Sequence, residues 1–336
     1  MAIINSSKKL MKKTTAYVFA LVLLVVTSCS KTSMDNPNES QPITAPGLRE
    51  RCASHEVLQQ QLAADPGLAE RMERIEQLTS SYIKDGPASF RSGDDVVLPV
   101  WVNVLYNNAT ENISDAQIAS QIQILNDDFA GSNNDVRKVP SIFASVKAGD
   151  TRIRFQLVGI TRKFTTTTEF PIFGDPMKKS QRGGIDATSP ETTLNMWSVD
   201  LGPYYLGYAQ FPGGNIATDG VVVDDNAFGK KGSTLNPFNL GRTATHEVGH
   251  WLNLRHIWGD KTCGSDFVDD TPVAEGYNGG CPAFPKYGKC SATVPMMTMN
   301  YMDYTYDACM YMFTAGQNLR MQATFQAGGG RESFAQ

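Results

Sequence analysis

Histidine is rare in this sequence, with four among 336 residues. The net charge is also small, at −4, and no basic patch is present, which argues against a nucleic-acid-binding protein. The apolar run from Ala16 to Val26 is too short to cross a bilayer. No internal repeat is evident. The chain exceeds one typical domain in length, and 41% hydrophobic residues are ample for a buried core.

Three of the four histidines lie within eleven residues, in the run HEVGHWLNLRH at positions 246–256. Side chains four residues apart share one face of a helix, so His246 and His250 can bind one ion. His256 can join them only if the helix ends and the chain turns back, which we expect at residues 252–254.

Three neutral imidazoles with an open fourth position are typical of a catalytic zinc site. Water at that position would have a pKa of about 7, and the metal would polarise a peptide carbonyl. Glu247 would accept the proton of this water and pass it to the leaving amine. The alternative is that the histidines cap or pack on an ordinary helix, but their rarity makes this spacing an improbable accident.

The run differs at one position from the metzincin signature H-E-x-x-H-x-x-G-x-x-H. Asn253 stands where glycine is expected. The position requires a left-handed residue that ends the helix, and asparagine tolerates this conformation best among the other residues. A candidate Met-turn follows at Met302, although methionine alone is weak evidence because it usually fills cores.

Several short motifs resemble the pappalysin family of metzincins, especially its short, ulilysin-like prokaryotic members. The match covers about residues 95–327, and its motifs are HEVGHWL at 246–252, DTP at 270–272, NYMDY at 300–304 and DAC at 307–309.

This resemblance implies that His246, His250 and His256 bind zinc and that Glu247 is the general base and acid. It also implies that Tyr304, two residues after the Met-turn methionine, helps to stabilise the tetrahedral intermediate. The implied fold class is α+β: a metzincin-type zincin domain with a twisted mixed sheet, a zinc helix plus a backing helix, and a loop-rich C-terminal subdomain with the Met-turn.

Local patterns predict the secondary structure. Alternating apolar residues predict strands at 96–106, 151–161, 194–201, 207–211 and 221–224. Helical spacing predicts helices at 56–84, 114–129, 243–252 and 314–326. Ser114 and Gln117 are expected to form a capping box. The strand at 207–211 is expected to be the edge strand that pairs with an extended substrate.

The N-terminus has the pattern of a targeting segment. Four lysines precede the apolar run, and Cys29 ends a sequence that resembles a bacterial lipobox. An ordinary signal peptide that happens to end at cysteine is the alternative. We therefore expect a signal peptide at 1–29, a tether and pro-segment at 30–90 and the catalytic domain at 91–336, in an exported protein that is either anchored to the outer membrane or secreted.

Four further cysteines, in an exported protein, predict two disulfides with three possible connectivities. They are Cys263, Cys281, Cys290 and Cys309. The family resemblance favours Cys263 with Cys290 and Cys281 with Cys309. A second zinc site is the rival interpretation, but no histidine accompanies these cysteines.

Cys52 is left without a partner by this count. A thiolate upstream of a metalloprotease can fill the open coordination position and keep the enzyme latent, and the short bacterial relatives resemble this chain in having an arginine beside such a cysteine. The alternative is a free or intermolecularly paired thiol. His55, the one histidine outside the motif, is expected at an exposed helix start.

Two further sites are expected. Asp266, Asp269, Asp270 and Thr271 concentrate oxygen ligands that suit calcium, and the family binds calcium nearby; a solvated acidic turn is the alternative. The resemblance also implies that Asp307 lies in the pocket that receives the residue after the scissile bond. A carboxylate there would favour arginine or lysine, which makes Phe90-Arg91 a candidate self-processing bond.

The function predicted from these features is that of a zinc endopeptidase, monomeric, acting on protein or peptide substrates and made as a latent zymogen. The alternative is a non-catalytic, zinc-binding surface lipoprotein or adhesin. The presence of Glu247 argues against this alternative, because a structural zinc site has no use for a general base.

Overall fold

A computed structural model of the chain describes residues 50–85 and 95–335, which belong to one compact unit. The expected signal peptide with Cys29 and the Phe90-Arg91 bond lie outside the described residues. Within the described residues, no helix is both long enough and apolar enough to cross a membrane.

A six-stranded mixed sheet is the framework of the fold. Its strand order is β1-β5-β6-β4-β2-β3, and every pair of neighbours is parallel except β5 and β6. A mixed sheet is therefore confirmed. The strands are β1 (Glu50–Cys52), β2 (Val96–Tyr106), β3 (Ile153–Phe164), β4 (Leu194–Val199), β5 (Tyr205–Ala209) and β6 (Val221–Asp224).

Five α-helices accompany the sheet in the described part of the chain. They are α1 (Ser54–Ala64), α2 (Leu68–Asp85), α3 (Asp115–Phe129), α4 (Arg242–Trp251) and α5 (Ala315–Ala323). The strand β1 and the helices α1 and α2 make up what we call the N-terminal segment, residues 50–85.

The prediction of one helical stretch over 56–84 is wrong, because the chain breaks between α1 and α2. Pro66 has no backbone N–H to continue the helical hydrogen bonding. The N–H of Gly67 donates instead to the side chain of Asp65 at 3.0 Å, which closes a tight turn.

The predicted capping box at α3 is half correct. The Ser114 hydroxyl accepts a hydrogen bond from the N–H of Gln117. The Gln117 side chain, however, donates to the carbonyls of Asp225 and Phe228, so it anchors the loop after β6 instead of closing the box. A complete capping box occurs at α5, between Thr314 and Gln317.

Apolar side chains cover both faces of the sheet, which explains why β4 and β6 are buried along their whole length. The larger core lies against α3 and α4, and these two helices also contact each other, so α3 is the expected backing helix. Its buried side chains include Val100, Val102, Leu125, Phe129, Val248 and Trp251. A smaller core on residues that include Trp197, Tyr208 and Val222 covers the other face.

The chain between α4 and α5 contains little regular structure, as expected for a loop-rich subdomain. Two disulfides tie it together, Cys263–Cys290 and Cys281–Cys309. These are the pairs that the family resemblance favoured. Because all four sulfurs are in disulfides, the rival interpretation of a second zinc site on these cysteines is wrong.

A buried ion pair fixes the C-terminal end of α4. Arg331 donates to Asp219 at 2.8 Å, and both side chains are almost completely buried. Asp219 also accepts a hydrogen bond from the indole N–H of Trp251, and the guanidinium of Arg331 lies 4.1 Å from the centre of that ring. The last residue of α4 is therefore held by the C-terminal tail of the chain.

Replacing Asp219 with alanine should lower the free energy of unfolding by about 3–5 kcal/mol, because the buried Arg331 charge would lose its partner. Urea denaturation followed by tryptophan fluorescence measures this loss. The control is Arg74→Ala, which breaks an exposed pair with Glu70 and should cost less than about 1 kcal/mol. Equal losses of unfolding free energy in Asp219→Ala and Arg74→Ala would contradict the assignment of Asp219 as the partner of a buried charge.

Candidate metal centre

The three motif histidines converge on one buried point. Their Nε2 atoms lie 3.1 Å apart between His250 and His246, 3.1 Å apart between His250 and His256, and 3.3 Å apart between His246 and His256. All three side chains are at most 1% exposed. The helical spacing supplies the first two rings, and the third reaches them from beyond the helix.

A left-handed residue makes the return of the chain possible. Helix α4 ends at Trp251, and Asn253 has a φ of 68°. The N–H of Leu254 then donates back to the carbonyl of Gly249 at 2.9 Å. The expectation that asparagine takes the place of glycine in this turn is confirmed.

Hydrogen bonds on the far side of each ring orient the three imidazoles. Nδ1 of His246 faces the Tyr301 carbonyl at 2.6 Å, and Nδ1 of His250 faces the Leu254 carbonyl at 2.8 Å. Nδ1 of His256 faces a carboxylate oxygen of Asp260.

Carbonyl and carboxylate oxygens only accept hydrogen bonds, so each Nδ1 carries the proton and each Nε2 presents a lone pair. Three lone pairs facing one another without a proton between them repel unless a cation lies among them. The donor set of this chain therefore fits a divalent metal, and three neutral imidazoles fit zinc.

Cys52 adds a fourth ligand atom to the cluster. Its sulfur and the three imidazole nitrogens all lie within 4.8 Å of one another, and all four residues are buried. Over residues 50–85 and 95–335, this is the one group of three or more His, Cys, Asp or Glu side chains that could hold a metal.

Glu247 lies beside this fourth position. Its Oε2 accepts a hydrogen bond from the Ser54 hydroxyl at 2.8 Å and lies 3.4 Å from the Cys52 sulfur. Burial raises the pKa of Glu247 to about 8. The absence of a side chain at Gly207 makes room for it, since a Cβ there would come within 3.0 Å of Glu247 Cγ.

Tyr304 and Met302 complete the surroundings of the histidines. The Tyr304 hydroxyl donates to the backbone carbonyl of Cys52 at 3.1 Å, and its ring packs edge-on against His256. Met302 is fully buried against α4. A Cβ on Gly249 would lie 2.5 Å from its sulfur, so glycine is needed for this close approach.

Asp307 pairs with an arginine of the N-terminal segment. Its Oδ1 lies 3.0 Å from the Arg51 guanidinium, and both side chains are almost completely buried. Its Oδ2 accepts hydrogen bonds from the backbone N–H groups of Leu240 and Arg242 at 2.9 and 3.2 Å, which fixes the carboxylate.

The edge of β5 is occupied by β1. The two strands run parallel, with Glu50 opposite Tyr205 and Cys52 opposite Gly207. The N–H of Ala53 continues the pairing by donating to the Gly207 carbonyl at 2.9 Å. In this structure the edge predicted for substrate therefore holds the chain's own N-terminal segment.

Comparison with known proteins identifies the family. The family model described as pregnancy-associated plasma protein-A, of peptidase family M43, matches residues 206–326. An extracellular metalloprotease of Verticillium alfalfae is 32% identical over 253 residues, covering 72% of this chain and 82% of the relative. Another from Arthroderma benhamiae is 31% identical over 284 residues, covering 79% and 83%.

The chain belongs to the pappalysin family of metalloproteases.

Solved structures of mirolysin and promirolysin agree with this assignment. Mature mirolysin of Tannerella forsythia, solved in complex with a cleaved peptide, is 47% identical, with a TM-score of 0.70 and coverage of 72% of this chain and 96% of its own. A promirolysin mutant of the same organism is 43% identical, with a TM-score of 0.78 and coverage of 85% and 97%. The α+β, metzincin-type fold is thus confirmed, and so is the enzyme class.

Sequence reasoning missed three residues that the structure places at the centre. Arg51 pairs with Asp307, Ser54 bonds Glu247, and Asp260 orients His256. The sequence contained signals for two of these residues. Asp260 is a carboxylate four residues after a zinc-type histidine, and Arg51 is the arginine beside Cys52. His55, 39% exposed at the start of α1, also contacts Asp260, at 3.4 Å.

The side chains of the acidic loop predicted to bind calcium do not point at one common position, unlike the three histidines. Asp266 accepts hydrogen bonds from the Thr271 hydroxyl and the Val268 N–H, and Asp270 accepts one from the N–H of Gly316 in α5. Asp269 is exposed. These carboxylates are not drawn together into one ligand set, so calcium binding stays a prediction.

Replacing Asp260 with alanine should weaken zinc binding about 10- to 100-fold, because His256 would lose the group that fixes its tautomer and orientation. Competition with a fluorescent zinc chelator measures the affinity. The matched control is Lys261→Ala, a change at the exposed neighbouring residue, which should bind zinc like the wild type. An unchanged affinity in Asp260→Ala would refute this role.

Proposed function

We propose that this metalloprotease is a zinc endopeptidase that is synthesised as a latent precursor and prefers arginine or lysine after the scissile bond. One observation carries the proposal: three imidazole lone pairs, the Glu247 carboxylate, the Tyr304 hydroxyl and the Asp307 carboxylate all face residues 51–54. The first three are the groups that peptide hydrolysis at a metal requires, and the Asp307 carboxylate can select the substrate side chain.

Zinc held by His246, His250 and His256 would lower the pKa of water and polarise the peptide carbonyl. The Cys52 sulfur marks the fourth position, 3.4 Å from Glu247 Oε2. A water molecule in place of this sulfur would donate a hydrogen bond to that carboxylate. Glu247 can then remove the proton and deliver it to the departing amine.

Tyr304 supports the developing negative charge. In this structure its hydroxyl donates to a backbone carbonyl that lies beside the histidine cluster, that of Cys52. The carbonyl of a substrate peptide at the same place would receive the same hydrogen bond. A donor already positioned there stabilises the tetrahedral intermediate without reorganisation.

The N-terminal segment occupies every one of these groups, and this explains the latency. Cys52 takes the fourth position, Ser54 bonds Glu247, the Cys52 carbonyl takes the Tyr304 hydroxyl, and Arg51 pairs with Asp307. Substrate cannot enter until the segment leaves. The greater coverage of this chain by promirolysin than by mature mirolysin supports the assignment of residues 30–90 as tether and pro-segment, and of 91–336 as catalytic domain.

Arg51 indicates the side-chain preference. Its guanidinium is buried against Asp307 and donates also to the Thr305 carbonyl, so the pocket accepts a long cationic side chain. The same preference would make Phe90-Arg91 a self-processing bond.

Several finer points belong to the same proposal. Export is supported by the relatives' names, since these are extracellular metalloproteases. The proposal also includes a signal peptide at 1–29, lipidation of Cys29 with anchoring to the outer membrane, and action as a monomer. It further includes a calcium site at Asp266, Asp269 and Thr271. No structural observation favours the alternative of a non-catalytic adhesin.

Glu247→Ala should lower kcat/KM on a denatured protein substrate by about 10²–10⁴-fold, because the general base is removed while the zinc ligands remain. Gel assays of substrate loss, with zinc content measured in parallel, provide the test. Glu191→Ala, at an exposed glutamate, serves as the control. Equal cleavage by Glu247→Ala and wild type would refute the mechanism.

Cys52→Ala should give a precursor that matures prematurely, because the fourth position would be open to water. The half-life of the full-length chain, followed by electrophoresis and N-terminal sequencing, should shorten several-fold. Cys52→Ser is the near-isosteric companion and should behave like the alanine variant, since a hydroxyl is a poor zinc ligand. Latency that persists unchanged in both variants would sink the cysteine-switch proposal.

Asp307→Asn should reduce cleavage before arginine about 10- to 100-fold, because the pocket loses its negative charge. Asparagine keeps one oxygen for the N–H groups of Leu240 and Arg242, so this variant preserves the local fold better than Asp307→Ala. Paired peptides with arginine or methionine after the scissile bond measure the preference. An arginine preference that survives both substitutions would exclude Asp307 as its source.

A further inference from the structure

A second ion pair, buried on the arginine side and partly exposed on the glutamate side, connects the N-terminal segment to the catalytic part. Arg320 on α5 is 1% exposed, and its two terminal nitrogens each donate to one oxygen of Glu76 on α2, both at 2.8 Å. Such a two-pronged pair is the strongest geometry between arginine and a carboxylate. Glu76 belongs to the segment proposed to leave on maturation, whereas Arg320 remains.

A second guanidinium adjoins this pair. Arg255 and Arg320 lie over the same aromatic ring, that of Phe267, at 5.3 and 5.6 Å from its centre. Burial lowers the pKa of Arg255, and the neighbouring positive charge of Arg320 lowers it further. The Nε atoms of both arginines are buried without a hydrogen-bond partner. Glu76 is bonded to Arg320 alone, so this group of two cations holds one bonded carboxylate.

The other nearby carboxylates are already engaged. Asp260, which attracts Arg255, accepts hydrogen bonds from His256 and His55. Asp266, which attracts Arg320, accepts them from Thr271 and Val268. Within residues 95–335, neither arginine forms an ion pair. Departure of Glu76 would leave two neighbouring guanidiniums without a bonded anion.

Contacts also connect the two arginines, Arg255 and Arg320, to the histidine cluster. The N-terminal segment runs from Arg51 at Asp307, past Cys52 at the histidines, into α1, which packs with α2 on Phe211. The Phe211 ring lies 5.2 Å from the His250 ring and 5.7 Å from the Arg255 guanidinium.

The aromatic ring that both arginines contact belongs to a residue with an unusual backbone conformation. Phe267 has a φ of 61°, a left-handed conformation that is strained for a bulky residue, and its side chain is 50% exposed. Strain of this kind is concentrated at ligand-binding positions. The ring is accessible at the surface and contacts both cations.

We propose that Arg255 and Arg320 form a subsite for a carboxylate of the peptide substrate, an aspartate or glutamate side chain a few residues before the scissile bond. Glu76 occupies this subsite in the precursor. The proposal rests on the proposed function, in which the residue after the scissile bond enters the Asp307 pocket. Because both contact the Phe211 ring, the Arg255 guanidinium is within about 11 Å of the His250 ring, and an extended chain spans that distance with three or four residues at about 3.3 Å each.

The test uses enzyme matured from the full chain and pairs of fluorogenic peptides. Each pair carries arginine after the scissile bond and either glutamate or glutamine at one of the positions two to five residues before it. At one position, kcat/KM for the glutamate peptide should exceed that for its glutamine twin by about tenfold or more. This ratio should fall as the salt concentration is raised.

Substitutions test whether the preference for glutamate comes from the two arginines. Arg255→Gln should bring the glutamate-to-glutamine ratio close to one, and Arg320→Lys should lower it, because lysine retains the charge but not the two-pronged geometry. Arg137→Gln removes an exposed positive charge elsewhere and should leave the ratio as in the wild type.

The outcomes separate this inference from the function on which it rests. Cleavage of glutamine peptides that depends on Glu247, with a ratio near one at every position, overturns the subsite alone. A high ratio that survives in both Arg255→Gln and Arg320→Lys also overturns it. Failure to cleave either peptide, or cleavage that is indifferent to Glu247→Ala, overturns the proposed function and the subsite with it.

Discussion

The repulsion among three buried imidazole lone pairs is the constraint on which the site depends. Their Nε2 atoms lie 3.1–3.3 Å apart, and acceptors on the opposite side of each ring prevent any of them from turning away or changing tautomer. A cation at their centre converts this repulsion into binding. The turn at Asn253, the close contact of Gly249 with Met302 and the tie between Arg331 and Trp251 all hold α4 so that the three rings keep this arrangement.

The N-terminal segment makes use of the same groups as the proposed substrate. Its strand β1 lies along β5, Arg51 lies at Asp307, and Cys52 completes the histidine cluster. Glu76 of the same segment pairs with Arg320, one of the two neighbouring arginines. In our proposal, inhibition and specificity therefore have one physical origin: the segment stays in place because it satisfies charges that the catalytic domain holds ready for a peptide.

The local features of this chain could be predicted from its sequence, because they depend on spacing. The period of the helix aligns His246 with His250, and the alternation of residues 96–106 marks a strand that the structure reproduces. Family resemblance supplied the disulfide pairs, which spacing alone left open. The predicted bounds of α4 differ from the observed ones by a single residue at each end.

Contacts between distant parts of the chain could not be predicted in this way. Arg51 is separated from Asp307 by 256 residues, and Glu76 from Arg320 by 244 residues. No periodicity links such pairs, since they form only when the segment folds back over the cleft. The side chain of Gln117 likewise left its expected capping role because the loop after β6 offered it two carbonyls.

The central claim is that the precursor holds zinc with three histidine nitrogens and the sulfur of Cys52, and that maturation replaces this sulfur. Zinc X-ray absorption spectroscopy on the purified precursor and on the mature enzyme tests it most directly. We predict one sulfur at about 2.3 Å and three nitrogens at about 2.0–2.1 Å in the precursor, and nitrogen and oxygen neighbours alone after maturation. A precursor spectrum without a sulfur neighbour, or a mature spectrum that retains one, would contradict the claim.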